Sequence, residues 1–103
     1  MKKLIAVDPR AEKELNKFDQ KVRLDFDSLI KILGNEGKLS IPEGKKIGKK
    51  LFEIRVKVNG IYRGIYAYVG KEGIVILHFF QKKSQKTPIK SIKIAERRLK
   101  EYK

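Results

Sequence analysis

Residues 51–69 read Leu-Phe-Glu-Ile-Arg-Val-Lys-Val-Asn-Gly-Ile-Tyr-Arg-Gly-Ile-Tyr-Ala-Tyr-Val, and their pattern decides the fold. From Leu51 to Val58 the side chains alternate. Phe52, Ile54, Val56 and Val58 share one side, and Glu53, Arg55 and Lys57 share the other, which is the period of a half-buried strand. Asn59-Gly60 follows at once and is the strongest short-range hairpin signal, because both residues tolerate the positive φ that tight β-turns need. Ile61 to Val69 is the returning strand, rich in Tyr and β-branched residues. Gly70 to Gly73 makes a second turn, and Ile74 to Phe80 is almost wholly apolar, as a strand covered on both faces would be. The centre of the chain is therefore expected to be an antiparallel meander of three strands.

Helical periods flank the meander. Asp8-Pro9 offers an N-cap followed by proline at the first helical position. Ala11, Leu15 and Phe18 then fall on one helix face, and Val22, Phe26, Leu29, Ile30 and Leu33 form a second amphipathic stripe, with Gly34 suited to end it. The two runs make a helical hairpin, or one helix bent near Asp19. Leu4 to Val7 suits a short edge strand. Asn35 to Lys50 holds Gly37, Pro42, Gly44 and Gly48 with no period, and reads as a basic loop carrying Lys38, Lys45, Lys46, Lys49 and Lys50. After the meander, Thr87-Pro88 repeats the cap-then-proline start, and Ile92, Ala95, Leu99 and Tyr102 mark a C-terminal helix. The expected class is α+β: two N-terminal helices and a C-terminal helix gathered on one face of a small twisted antiparallel sheet. At 103 residues the chain suits one domain spanning residues 1–103.

Charge narrows the function. Lys and Arg number 26 against 12 Asp and Glu, a formal net charge of +14. A small soluble domain usually carries ~2–8, and self-repulsion at this excess opposes folding unless a polyanion or an acidic protein compensates. There is no Cys, which excludes a disulfide scaffold, a Cys-ligated zinc site and a Cys nucleophile, and agrees with a cytoplasmic location. The opening Met1-Lys2-Lys3-Leu4-Ile5-Ala6-Val7 imitates a signal peptide, but Asp8-Pro9 ends the apolar run short of the ~7–15 residues an h-region needs. No apolar run approaches the ~20 residues of a membrane span.

Several chemistries lack their residues. Asp25 and Asp27 stand two apart on a helical pattern and point away from each other, and His78 is the one histidine, so no metal site is expected. No Gly-rich phosphate loop and no nucleophile elbow occurs, and no cofactor is expected. What remains is a concentration of cations on strands and strand ends, interleaved with aromatics. Arg55 and Lys57 lie on the polar side of the first hairpin strand, Tyr62 and Arg63 begin the second, and Phe79, Phe80, Lys82, Lys83 and Lys86 end the third. Cations neutralise phosphates and aromatic rings stack bases; the alternative is that the rings are core and the cations solvated.

Arg63 shares its strand parity with Ile61, Ile65 and Ala67, and an arginine among apolar neighbours needs a partner or a cleft. A two-residue Asn-Gly loop would pair Arg63 with Val56, whereas a three-residue loop would pair it with Arg55. In the second register two guanidinium groups converge on one anion, either a ligand or a structural carboxylate such as Glu53. His78, on the expected side of Ile76 and Phe80, is either a general base or a hydrogen-bonded structural histidine.

Leu51-Phe52-Glu53-Ile54-Arg55, Tyr62-Arg63 and Ile76-Leu77-His78-Phe79-Phe80-Gln81-Lys82-Lys83-Ser84-Gln85-Lys86-Thr87-Pro88 together resemble the RelE/ParE toxin superfamily. The nearest branch is the HigB-like, phage-derived group of type II toxin–antitoxin systems. The resemblance is close over the C-terminal half, and the two-helix N-terminal half agrees in order and length. It implies an mRNA endoribonuclease that works with the ribosome, needs no metal, and cuts by attack of the RNA 2′-OH on the adjacent phosphate. It also implies a cognate antitoxin, of helix-turn-helix type. By position the resemblance assigns catalysis to Arg55, Arg63 and Lys83, with Lys82 and Lys86 beside them to bind RNA, and the pattern of cations and aromatics adds Lys57, Tyr62 and Phe79 as RNA-binding residues. Some members carry a Tyr or His near the C-terminus as an acid–base or stacking group, a role for which this chain offers only Tyr102. The alternatives are a toxin of the same fold that targets DNA gyrase, a non-catalytic basic nucleic-acid-binding module, and a plain interaction protein.

Overall fold

The computed structural model describes residues 2–40, 42–83 and 86–102. Ser84 and Gln85 of the K-K-S-Q-K-T-P string lie outside the described residues. The elements are β1 (Leu4–Val7), α1 (Pro9–Asn16), α2 (Gln20–Glu36), β2 (Gly44–Lys46), β3 (Phe52–Lys57), β4 (Ile61–Val69), β5 (Gly73–Lys82), α3 (Ile89–Leu99) and a 3-10 turn at Lys100–Tyr102. The expected meander is β3-β4-β5. Two further strands extend it to five in the order β1-β5-β4-β3-β2.

Both additions sharpen the expectation. β1 is the anticipated edge strand, but it runs parallel to β5, pairing Leu4 with Gly73 and Val7 with Ile76, so the sheet is mixed. β2 lies inside the segment expected to be loop and pairs antiparallel with β3, Lys45 opposite Glu53. Its three residues are Gly-Lys-Lys, too short and too polar to show a period. Their strand conformation comes from the free edge of β3.

The helices begin and end by local chemistry. Asp8 caps α1, its Oδ1 accepting the Arg10 N–H at 2.8 Å, with Pro9 next in the first turn. α1 and α2 are separate helices. α2 runs past Gly34 and stops at Gly37, whose φ of 79° only a residue without Cβ adopts freely. Gly34 instead allows Ile5 of β1 to approach, since a Cβ there would lie 3.2 Å from its Cδ1. α3 starts with Pro88 at the N-cap, and the Thr87 hydroxyl bonds elsewhere.

The helices occupy both faces of the sheet rather than one. On the first face α1 and α2 bury Ala11, Leu15, Val22, Phe26 and Leu33 against Ile54, Val56, Tyr66, Ile76 and Phe79. On the second, Ala95 and Leu99 of α3 pack on Ile65, Ala67, Val75 and Leu77. β4 and β5 are apolar at both parities, so each face must be covered to keep those groups from water. A bulge switches the parity of β5. Ile65 pairs with His78 but Tyr66 pairs with Ile76, leaving Leu77 as the extra residue. Beyond it Phe79 joins the core of Ile76, and Phe80 the other face.

The edge of β5 beyond β1 is closed by side chains. Asp8 N–H donates to Ile76 O at 2.9 Å, ending the parallel pairing. Next, Glu14 of α1 accepts the Phe79 N–H at 3.2 Å, and Arg98 of α3 donates to Leu77 O at 2.7 Å. The backbone groups of an edge strand are thus satisfied by one acid and one base that also bond each other.

Candidate functional site

α3 covers one end of its face, and the other end of that face carries the cations. Val58, Asn59 and Gly60 form a three-residue loop, so Lys57 pairs with Ile61 and Arg55 with Arg63. Asn59 takes φ 49°, the left-handed conformation that asparagine tolerates best among residues with a Cβ. Of the two registers open in the sequence, this is the one that brings the guanidinium groups together. β5 adds Lys82, opposite Ile61, and β2 adds Lys45, opposite Glu53.

The two guanidinium groups share one carboxylate. Glu53, with 0% of its surface exposed, has Oε1 3.2 Å from Arg55 Nε and 3.1 Å from Arg63 Nε. Its Oε2 accepts the Thr87 hydroxyl at 2.8 Å, which ties the segment after β5 to β3. The Arg63 contact is an ion pair without hydrogen-bond alignment, for Arg63 Nε makes no hydrogen bond. Arg63 Nη1 donates to Tyr62 O at 3.1 Å. Glu53 therefore positions two arginines while neutralising only one charge, and Arg63 Nε is left without a hydrogen bond.

The surroundings act on these groups in a consistent direction. Burial lowers the Arg63 pKa, Glu53 opposes this and the Arg55 charge adds to it; the guanidinium stays protonated at neutral pH all the same. Burial also lowers Lys82, reinforced by the Arg63, Arg55 and Lys45 charges and opposed by Glu53. Like charges that disfavour protonation of one another are relieved when an anion comes between them. A groove of about 320 Å3 adjoins the cluster, lined by Pro42, Glu43, Arg55, Val56, Lys57, Ile61 and Arg63.

The remaining expected residues divide. Lys57 is exposed beside the groove. Lys83 and Lys86 are exposed on the segment that leaves β5, and Lys82 is the lysine whose pKa the arginines affect. Phe79 is a correction: 2% exposed, with its ring 4.9 Å from that of Phe26, it is core and cannot stack a base. Tyr62 is also turned away, its ring 4.9 Å from Phe18 on the α1–α2 side. His78 takes the structural role, with Nδ1 2.9 Å from Glu14 Oε1 and Nε2 3.3 Å from Ser91 Oγ. Tyr102 donates to Asp8 Oδ2 at 2.7 Å and belongs to the anchoring of the C-terminus. Two members of the site had no sequence signal of their own: Thr87, expected as a helix cap, and Glu43, placed on the groove by the strand β2 that follows it. Among the described residues no group of three or more His, Cys, Asp or Glu gathers to hold a metal ion, and no helix is long and apolar enough to cross a membrane.

Comparison with known proteins places the fold. The family model described as phage derived protein Gp49-like matches residues 13–100. No curated protein sequence matches the chain. A variant of the E. coli toxin RelE in the free state superposes with a TM-score of 0.68 at 15% identity, covering 98% of each chain. The isolated E. coli RelE toxin gives 0.63 at 18%, over 91% of this chain and 97% of that one. A chain of the RelBE2 toxin–antitoxin complex from Mycobacterium tuberculosis gives 0.62 at 17%, over 80% of this chain and 100% of that one. At such identities the likeness is one of fold.

Proposed function

We propose, from the premise that the chain belongs to the phage derived Gp49-like family and has the fold of the RelE toxins, that it is the toxin of a type II pair and cleaves mRNA without a metal ion. The observation that carries this reading is the Arg55–Arg63 pairing over a single buried Glu53 with Lys82 beside it. Three cations to one acid leave an excess positive charge where a phosphate can sit.

In the proposed reaction the RNA 2′-oxygen attacks the adjacent phosphorus, a bond forms from O2′ to P, and the bond from P to the 5′-oxygen breaks. The products are a 2′,3′-cyclic phosphate and a 5′-hydroxyl. Arg55 and Arg63 hold the non-bridging oxygens, where charge grows as the phosphorane forms. Proton transfer is assigned to Lys82, whose pKa burial and the neighbouring arginine charges lower, and Lys83 and Lys86 hold the RNA backbone. Lys57 extends the same path. The partner is a cognate antitoxin of helix-turn-helix type. The ribosome supplies the message, so the site of action is cytoplasmic.

The test is transcript-end mapping after induction, with and without the neighbouring gene, followed by cleavage of RNA by purified protein in EDTA. The expected result is new 5′ ends in translated messages and their loss in Arg55→Ala/Arg63→Ala. Growth arrest with intact transcripts and damaged DNA would instead identify a gyrase poison.

A further inference from the structure

The groove beside the arginines contains an acid. Glu43 lines it together with Arg55, Lys57 and Arg63, yet among the described residues its carboxylate forms no ion pair with any of them. Its backbone is fixed, because Glu43 O accepts the Arg55 N–H at 2.8 Å and the next residue, Gly44, donates to Ser40 O at 2.9 Å. The exposed side chain thus starts from a fixed point on the wall of the groove, where its charge repels a polyanion. What such a group offers a ligand there is a hydrogen-bond acceptor.

We propose that Glu43 reads the base adjoining the bound phosphate and selects guanine. The inference rests on the RNA-binding reading above. A nucleotide whose phosphate lies on Arg55 and Arg63 has its base within reach of the groove, whose sides include Pro42 and the half-exposed Ile61. A base in single-stranded RNA offers its Watson–Crick edge. A carboxylate presents two acceptors side by side and no donor. Guanine alone presents two adjacent donors on that edge, N1–H and the N2 amino group. Adenine and cytosine set a ring acceptor beside their amino group, and uracil flanks its single N–H with two carbonyls. The arginines attract any RNA; the acid discriminates within it.

The experiment measures binding of 2′-O-methyl pentanucleotides, which cannot be cut, with G, A, C, U or inosine at the centre of a uridine frame. The wild-type protein should bind the guanine oligomer about tenfold more tightly than the adenine one, inside the range that a bidentate contact to a base edge supplies. Inosine, which lacks the amino group, should lose most of that preference. Glu43→Gln should bring all five within about twofold, while Glu72→Gln, in the exposed β4–β5 turn, should keep the preference. Equal binding of the four bases by wild type, or an unchanged preference in Glu43→Gln, overturns the assignment. Cutting of the matching ribo-oligomers is scored separately. Guanine preference without cutting removes the nuclease reading and keeps the subsite, and no binding of any oligomer at low salt removes both.

Discussion

Replacing Glu53 by glutamine keeps the shape of the side chain and removes its charge. In the native protein that charge sits fully buried between Arg55 and Arg63 and accepts the Thr87 hydroxyl. The arginine side chains are 28% and 11% exposed, so water screens them only in part. Removing one member of a buried pair costs ~3–5 kcal/mol, because the partner's charge is left uncompensated. Glutamine still accepts one hydrogen bond, which puts Glu53→Gln at the lower end, about 3 kcal/mol. For a domain of this size each kcal/mol shifts Tm by roughly 4 °C, so the variant should melt about 12 °C below wild type in calorimetry at pH 7. Glu72→Gln, in an exposed turn, is the control and should melt with the wild type. The double variant Glu53→Gln/Arg63→Met should lose at least ~1 kcal/mol less than the sum of its parts, since the two groups touch. A drop below about 3 °C for Glu53→Gln, or strict additivity in the cycle, would show that the carboxylate does not hold the arginines, and the positioning argument would fall with it.

Three further outcomes follow from other contacts. Burial would raise the Glu14 pKa, but bonds from His78, Arg98 and the Phe79 N–H hold it down at about 2. A carboxylate lowered on folding adds stability that is full above its unfolded value near ~4.3 and is lost as pH falls towards its folded one, so Glu14→Gln should flatten the decline of urea midpoints between about pH 4 and pH 2. A Cβ at Gly64 would lie 2.9 Å from the Phe79 ring and 3.5 Å from that of Phe26, so Gly64→Ala should cost ~1–3 kcal/mol by overpacking, measured as a lower denaturation midpoint. The logarithm of RNA affinity should fall with the logarithm of salt at about −0.7 per phosphate contacted, and Arg55→Gln or Lys82→Gln should each reduce that slope by roughly one contact.

The hairpin was legible because alternation and Asn-Gly are strictly local signals. Its register was not, since loops of two and three residues fit the same letters, and choosing between them decides whether Arg63 faces Val56 or Arg55. The placement of the helices failed for a related reason. β4 and β5 are apolar at both parities, so the alternation that orients β3 says nothing about which face a helix covers. The bulge at Leu77 then displaces the aromatic residues by one place. An unbroken strand would put Ile76, His78 and Phe80 together, whereas the bulge sends Phe79 to the core of Ile76 and Phe80 beneath α3. Expecting Phe79 to stack RNA was an error of parity, not of composition. β2 and Glu43 were invisible because a three-residue polar strand owes its existence to the edge it pairs with. The charged residues Arg55, Arg63 and Lys82 were readable as types, and only the fold makes them neighbours.

The distribution of acids explains why the excess charge settles where it does. Asp8, Glu14, Glu53 and Glu101 each form ion pairs. Three of them serve the C-terminal end of the fold. Glu14 binds His78 and Arg98, Asp8 binds Arg10 and Tyr102, and Glu101 binds Arg10. These contacts hold α3 and the 3-10 turn over the apolar part of the sheet face, where a helix is needed to keep Ile65, Val75 and Leu77 dry. At the opposite end Glu53 alone pairs with the two arginines among the described residues, Glu43 lines the groove beside them without pairing, and no helix covers them. If α3 extended over that end or a second acid paired with them, the arginines would become ordinary structural ion pairs. Because neither does, the fold stays intact through one set of contacts while the other keeps positive charge unspent, and substitutions in the first set should alter melting without changing which phosphate is held.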